Sequence, residues 1–126
     1  PGSLELAQEL SAAGVPTALV SASPRIIVDA VFENISNHGF HFSISADDVI
    51  ETKPDPACYL KAAEKFEVDI ADCLIFEDSL TGIAAGRSSG ATVIAVPHFV
   101  EVASGPRLYV AKSLADLSVE KLLSFR

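Results

Sequence analysis

Three short runs of nearly unbroken apolar residues constrain this chain most: TALVSAS at 17–23, CLIF at 73–76 and ATVIAV at 91–96. Each is too short for an ordinary helix and too uniformly apolar for a strand with one wet face, so each suits a strand covered on both sides. Helical segments separate them. LELAQELSAAG places Leu4, Ala7 and Leu10 on one face and closes at Gly14, a residue suited to the position after a helix. Pro16 prevents continuation. SPRIIVDAVFENISN offers Ser23 as cap and Pro24 at the first helical position, and Ile27, Val31 and Ile35 recur at four-residue spacing, predicting a buried stripe. DPACYLKAAEKF repeats that grammar with Asp55 and Pro56, and SLTGIAAGRSSG begins at Ser79 and stops at Gly90. FHFSISADDV reads as a further strand ending in Asp47 and Asp48. LYV reads as a short edge strand, SVEKLLSF as a last helix begun at Ser118, and PHFVEVASGPR as a surface loop. Strands alternating with helices predict an α/β fold with a parallel sheet and helices on both faces.

At 126 residues the expectation is one domain, residues 1–126. A hydrophobic content of 49% with 21% charged residues describes a packed chain, not a disordered one. A formal charge of −8 argues against a sequence-independent grip on nucleic acid or an anionic membrane surface. No apolar run approaches membrane-spanning length, and no stretch reads as a signal peptide. Cys58 and Cys73 fall in a predicted helix and a predicted strand, so both are expected buried and reduced, consistent with a cytoplasmic protein. His38, His41 and His98 have no metal-ligand spacing.

Ligands of parallel α/β sheets bind beyond the carboxyl ends of the strands. Three polar features fall there. Ser21 ends the first apolar run, and its hydroxyl with the backbone N–H groups of Ala22 and Ser23 makes an anion seat, although Ser21 and Ser23 equally suit plain cap and turn roles. Lys53 precedes Pro54 in KPDP, which favours an extended backbone at a loop start, where its ammonium projects over the edge or simply into water. Glu77 and Asp78 follow CLIF and precede Ser79; two acids at a strand tip suit a hard cation such as magnesium, or the positive start of the next helix. Asp47 and Asp48 carry a weaker form of the same signal and read as turn residues. Gly82 and Gly86 read as a small-residue face packing closely on the sheet, since no glycine-rich phosphate loop occurs. A hydroxyl, then a lysine, then an acidic pair suits a phosphate monoester held beside magnesium.

In that order the residues resemble the haloacid dehalogenase superfamily, in its phosphatase and β-phosphoglucomutase-like branch. PGSLELAQELSAAGVPTALVSAS resembles the helix and strand of the second family motif, SADDVIETKPDPACYLKAAEKF the third, and CLIFEDSLTGIAAGRSSGATVIAV the fourth. The resemblance implies a Rossmann-like three-layer sandwich with a mainly parallel sheet. It implies that Ser21 and the Ala22 N–H bind the transferring phosphoryl group and that Lys53 bridges it to the nucleophile. It further implies that Asp78 ligates Mg2+ with Glu77 assisting directly or through water, and that Ser23 and Arg25 face the distal part of the substrate. The implied activity is magnesium-dependent phosphate removal from a small phosphorylated metabolite, a sugar phosphate among the candidates, through an aspartyl-phosphate intermediate.

The first family motif is missing: no Asp-x-Asp follows an apolar strand in these residues, and neither does the helical cap that selects the substrate. By the resemblance the chain starts just after the cap, and the missing strand belongs between the strands at 17–22 and 73–78. Strands sit about 4.8 Å apart, so its absence leaves a gap of roughly 9–10 Å to be filled by a preceding segment of the same protein, by another molecule or by collapse. The chain alone is accordingly expected to be inactive. A mutase moving phosphoryl within a sugar, and a non-catalytic degenerate subunit, are the alternatives. A receiver-like module fits less well, because its acidic cluster belongs near the N-terminus and its lysine after a later strand.

Overall fold

The first helix, α1 (Ser3–Ala12), buries Leu6, Ala7 and Leu10 and ends as the sequence predicts. Gly14 adopts φ +81°, and the Val15 N–H reaches back to the Leu10 carbonyl at 2.9 Å, closing the last turn. The computed structural model describes residues 3–35, 38–96, 104–114 and 117–123, in two compact units, Pro1–Ile50 with Ser113–Arg126, and Glu51–Lys112.

In the first unit β1 (Ala18–Val20) pairs in parallel with β2 (Phe42–Ile44), with Val20 opposite Ile44. Between them runs α2 (Arg25–Glu33), and α5 (Val119–Leu123) packs against α1, burying Leu122. The entry to β2 is pinned by the Thr17 hydroxyl donating to the Gly39 carbonyl at 2.6 Å and by the His41 N–H donating to the Thr17 carbonyl at 2.7 Å. Gly39 has φ +85°, and a Cβ there would lie 2.7 Å from the Ala7 backbone, so only glycine fits. His38 stacks on Phe32 at 4.1 Å, and the Thr17 N–H donates to His41 Nδ1 at 3.1 Å, so both histidines have structural partners.

Two sequence expectations for α2 fail. Ser23 does not cap it: Pro24 occupies the cap position with no side-chain bond, and the Arg25 N–H donates to Asp47 Oδ2 at 2.8 Å. The physical reason lies in Ser23's other bonds, because its N–H goes to Ser21 Oγ at 3.0 Å and its carbonyl accepts from Ala46 N–H at 2.9 Å. The stripe of Ile27, Val31 and Ile35 is not buried either. Ile27 and Val31 are 51% and 45% exposed, while Val28 turns inward at 3%. With Ala30, Asn34 and Ile35 they line a shallow apolar recess. Four-residue spacing identifies a face of a helix, and says nothing about whether another element covers it.

The second unit holds α3 (Ala57–Phe66), β3 (Leu74–Glu77), α4 (Leu80–Ser89), β4 (Thr92–Ala95) and β5 (Leu108–Val110). Its three strands are parallel in the order β3-β4-β5, with LYV at the edge as expected. Pro56, not Asp55, occupies the cap position of α3; Asp55 stands one residue before it and still accepts the Ala57 N–H at 2.9 Å. Ser79 caps α4 by accepting the Gly82 N–H at 3.1 Å, and Gly90 ends it at φ +98°. Gly86 packs on the sheet as predicted: a Cβ there would approach Val93 Cγ2 to 2.8 Å. Ile75, Val93, Ile94, Ala95 and Leu108 are buried in the core of this unit, with Ile75 and Val93 directly under Gly86 of α4.

Cys58 is buried on α3, but Cys73 is half-exposed just before β3, following a short 3-10 turn at Ile70–Asp72, and both are free. The expected α/β architecture holds, and the strands fall into two sheets, β1-β2 and β3-β4-β5. Pro97 and His98, with most of the predicted surface loop, lie outside the described residues.

Candidate active site

The first unit builds a tethered loop at the carboxyl end of β1. Val20 leads into Ser21, whose N–H donates to the Ile44 carbonyl at 2.9 Å, and Ser23 is anchored to Ala46 two residues later. The loop is thus fastened at one end to β2 and at the other to the turn that follows it. The Ser21 hydroxyl oxygen accepts the Ser23 N–H at 3.0 Å, which leaves its own proton free to point outward. Ala22 is exposed, and its N–H meets no acceptor among the described residues. Hydroxyl and amide therefore stand side by side on a fixed backbone.

Arg25 is committed elsewhere. Its guanidinium donates to Asp29 at 3.1 Å, to the Ser43 hydroxyl at 2.6 Å, to the Ser43 carbonyl at 3.1 Å and to Asp48. It thereby locks the first turn of α2 to the end of β2. Asp47 and Asp48, read from sequence as turn residues, lie in a 3-10 turn (Ala46–Asp48) capped by Ser45. The Ser45 N–H bond lowers the Asp48 carboxyl most; with the Arg25 guanidinium and the Ser45 hydroxyl it outweighs the opposing effect of burial and brings the value from 3.8 to about 2. A depressed carboxyl stabilises the fold above its unfolded pKa and loses that contribution as pH falls through the folded value. Asp48→Asn should therefore cost about 1 kcal/mol near neutrality, a figure discounted for partial exposure. The same variant should flatten the loss of stability between about pH 4 and pH 2, read by urea unfolding at stepped pH; an unchanged acid limb would refute it.

The second unit places a different set at the carboxyl end of β3. Glu77, the last residue of the strand, is only 9% exposed. Its Oε2 accepts from Lys53 Nζ and from the Tyr59 hydroxyl. The Lys53 ammonium also lies 5.2 Å from the Tyr59 ring centroid, over its face. The Lys53–Pro54 peptide is cis. Burial, and after it the Glu77 charge, raises the Tyr59 phenol well above its ordinary value, so the phenol stays protonated and donates. Asp78, one residue on, faces solvent at the start of α4. The two adjacent acids thus have different surroundings: Glu77 lies among donors, and Asp78 is open.

Lys53 and Glu77, assigned separately from sequence, are in direct contact, with Asp78 adjacent in the chain. Ser21, Ala22, Ser23 and Arg25 belong to the other unit, and among them Arg25 is engaged by acids. Sequence reasoning missed Tyr59. The available signal was its place with Ala62 and Ala63 on the buried face of α3, since a buried phenol needs a partner. Gly82 was read as packing on the sheet; a Cβ there would instead run into the Glu77 carboxylate, so this glycine leaves room for a charge. Burial pushes the thiols of Cys58 and Cys73 up, which keeps them protonated and unsuited to nucleophilic work. No group of three metal-ligating side chains occurs among the described residues, and none of their helices is long and apolar enough to cross a membrane.

Comparison with known proteins points the same way. The model of the haloacid dehalogenase-like hydrolases matches residues 1–90. The bifunctional riboflavin kinase/FMN phosphatase of Arabidopsis thaliana is 37% identical over 96% of this chain and 33% of that protein. Among solved structures, a family IA variant 3 hydrolase of Entamoeba histolytica superposes with a TM-score of 0.84 at 25% identity, over 98% of this chain and 59% of that one. CbbY from Rhodobacter sphaeroides, in complex with phosphate, gives 0.83 at 28% identity, over 97% of this chain and 57% of that one. The chain spans about a third of the first relative and little more than half of these two solved chains. A fixed ammonium beside a strand-tip acid pair, a tethered serine loop, the matching family model and the shared fold lead to one assignment: the chain belongs to the haloacid dehalogenase-like hydrolases, a family of enzymes whose relatives of this chain include named phosphatases.

Proposed function

We propose that this chain is part of the catalytic core of a magnesium-dependent phosphohydrolase acting on a small phosphorylated metabolite. The observation that carries this reading is Lys53, an ammonium held by Glu77 at the carboxyl end of β3, next in line to the open carboxylate of Asp78. Lys53 neutralises charge on the transferring phosphoryl group, and Ser21 with the Ala22 N–H donates to its oxygens from the tethered loop. Ser23 and Arg25 bear on the distal part of the substrate, Arg25 through the backbone it locks.

Magnesium fits Asp78: the ion prefers hard oxygen ligands, takes one or two carboxylates and completes its shell with water and phosphate oxygens. Glu77 stands beside it, and its bonds to Lys53 and Tyr59 make it first a counter-ion and only second a ligand, direct or through water. Bound there, the ion supplies Lewis-acid stabilisation of phosphoryl charge.

The nucleophile is an aspartate outside these residues, supplied by a preceding segment of the same protein. Its carboxylate oxygen forms a bond to phosphorus as the ester P–O bond breaks, and the departing alkoxide takes up a proton. Water then cleaves the aspartyl-phosphate, releasing inorganic phosphate and restoring the carboxylate. The two reduced thiols agree with a cytoplasmic setting.

The test is phosphate release from an aryl phosphate with magnesium. The chain by itself should release none above the buffer rate. The same chain joined to its preceding coding segment, with an aspartate pair at the end of a leading strand, should turn over, and chelation of magnesium or Asp78→Asn should each reduce turnover at least a hundredfold. Magnesium-dependent release by the pure chain would overturn the assignment of the nucleophile. Lack of release by the joined protein would favour a degenerate subunit.

A further inference from the structure

Tyr59 has no part in the chemistry described so far, yet it is one of the most buried polar-tipped side chains of the second unit, at 6% exposure. It sits on α3 with Cys58, Ala62 and Ala63 at its back, and its hydroxyl is aimed at the carboxylate of Glu77. A buried carboxylate with a single cationic partner can swing to either side of that partner. A second donor on the same oxygen removes that freedom. The far side is closed by α4, where the backbone at Gly82 lies so near the Glu77 carboxylate that any added Cβ would overlap it. Glu77 is thus held by a phenol from α3, a lysine from the KPDP loop and a glycine from α4.

We infer that Tyr59 is a positioning residue: its hydroxyl and Gly82 together fix the Glu77 carboxylate, and through it the direction of the Lys53 ammonium. The ring contributes separately, because its face lies under the same ammonium at 5.2 Å. This role deepens the phosphohydrolase reading, since an aimed ammonium matters most when a phosphoryl group has to meet it in one place. The geometry of the clamp itself does not depend on that reading, which allows the two to be tested apart.

Tyr59→Phe keeps the ring, its packing and its ring current, and removes only the hydroxyl. In the isolated chain, the two Hε protons of Lys53, assigned by their loss in Lys53→Arg, should be inequivalent in the wild type because the side chain is fixed. In Tyr59→Phe they should collapse towards a single signal. Gly82→Ala, which displaces Glu77 from the opposite side while favouring the helix, should give the same collapse. A Tyr59 that merely fills the core would lower the melting temperature and leave these signals unchanged in the folded protein. Unchanged Hε signals in both variants would overturn the inference.

In the joined protein that turns over, Tyr59→Phe should lower kcat about tenfold with KM within a factor of two, because the misaimed charge is needed most in the transition state. Equal kcat values with the collapsed signals would reject the role in catalysis while leaving the clamp. An inactive joined protein with the collapsed signals would reject the phosphohydrolase reading alone.

Discussion

Replacing Lys53 by alanine should lower phosphate release by the joined protein about a hundred- to a thousandfold, the usual size for loss of one pre-aligned charge stabiliser of a transition state. The expectation rests on how Lys53 is held. Its side chain is 13% exposed, its ammonium contacts Glu77, and the Tyr59 ring lies beneath it, so little reorganisation remains when a phosphoryl group arrives. Lys53→Arg should not restore the rate, because a planar fork cannot reproduce a point charge wedged between a carboxylate and a ring face. Rates are compared well below the unfolding transition, so that loss of fold is not counted as loss of chemistry. Turnover by Lys53→Ala within threefold of the wild type would remove Lys53 from the mechanism.

Glu77→Ala has the largest expected effect on stability, about 3–5 kcal/mol, because it leaves an ammonium and a phenol without their shared acceptor in a buried place. Both partners of the ion pair are well shielded, at 13% and 8% side-chain exposure, so the pair is far from the exposed kind that contributes little. The double variant Lys53→Met with Glu77→Leu separates the pair from its parts. Replacing both charges by apolar groups of similar volume should recover the part of the loss that comes from the unpaired ammonium, while the Tyr59 hydroxyl stays without its acceptor, and it abolishes the proposed activity. Urea unfolding of the three proteins at neutral pH measures this directly. If Glu77→Ala costs less than about 1 kcal/mol, the carboxylate is solvated and the clamp is not a buried structure.

The alternation of short apolar runs with capped helices was enough to specify an α/β chain with parallel strands, because a strand wet on one face does not look like CLIF or ATVIAV. Ser79, Gly90 and Gly14 were readable for a similar reason: each meets a local backbone demand within a few residues of itself. The family was readable because its motifs occur in order along the chain. Local cues failed wherever a partner distant in sequence decided the outcome. Ser23 lost its capping role to Asp47, and the Ile27–Val31 face went uncovered although its spacing is that of a buried stripe.

The sequence by itself therefore determined the element types, their parallel arrangement and the family, since these follow from periodicity, backbone geometry and the order of the motifs along the chain. Only the tertiary structure decided which of two neighbouring acids is buried. Glu77 lies under α4, bound by a lysine and a tyrosine 24 and 18 residues away, while Asp78 faces water. Glu77 is the last residue of β3 and Asp78 the first beyond it, and what each one meets depends on what the rest of the chain packs there.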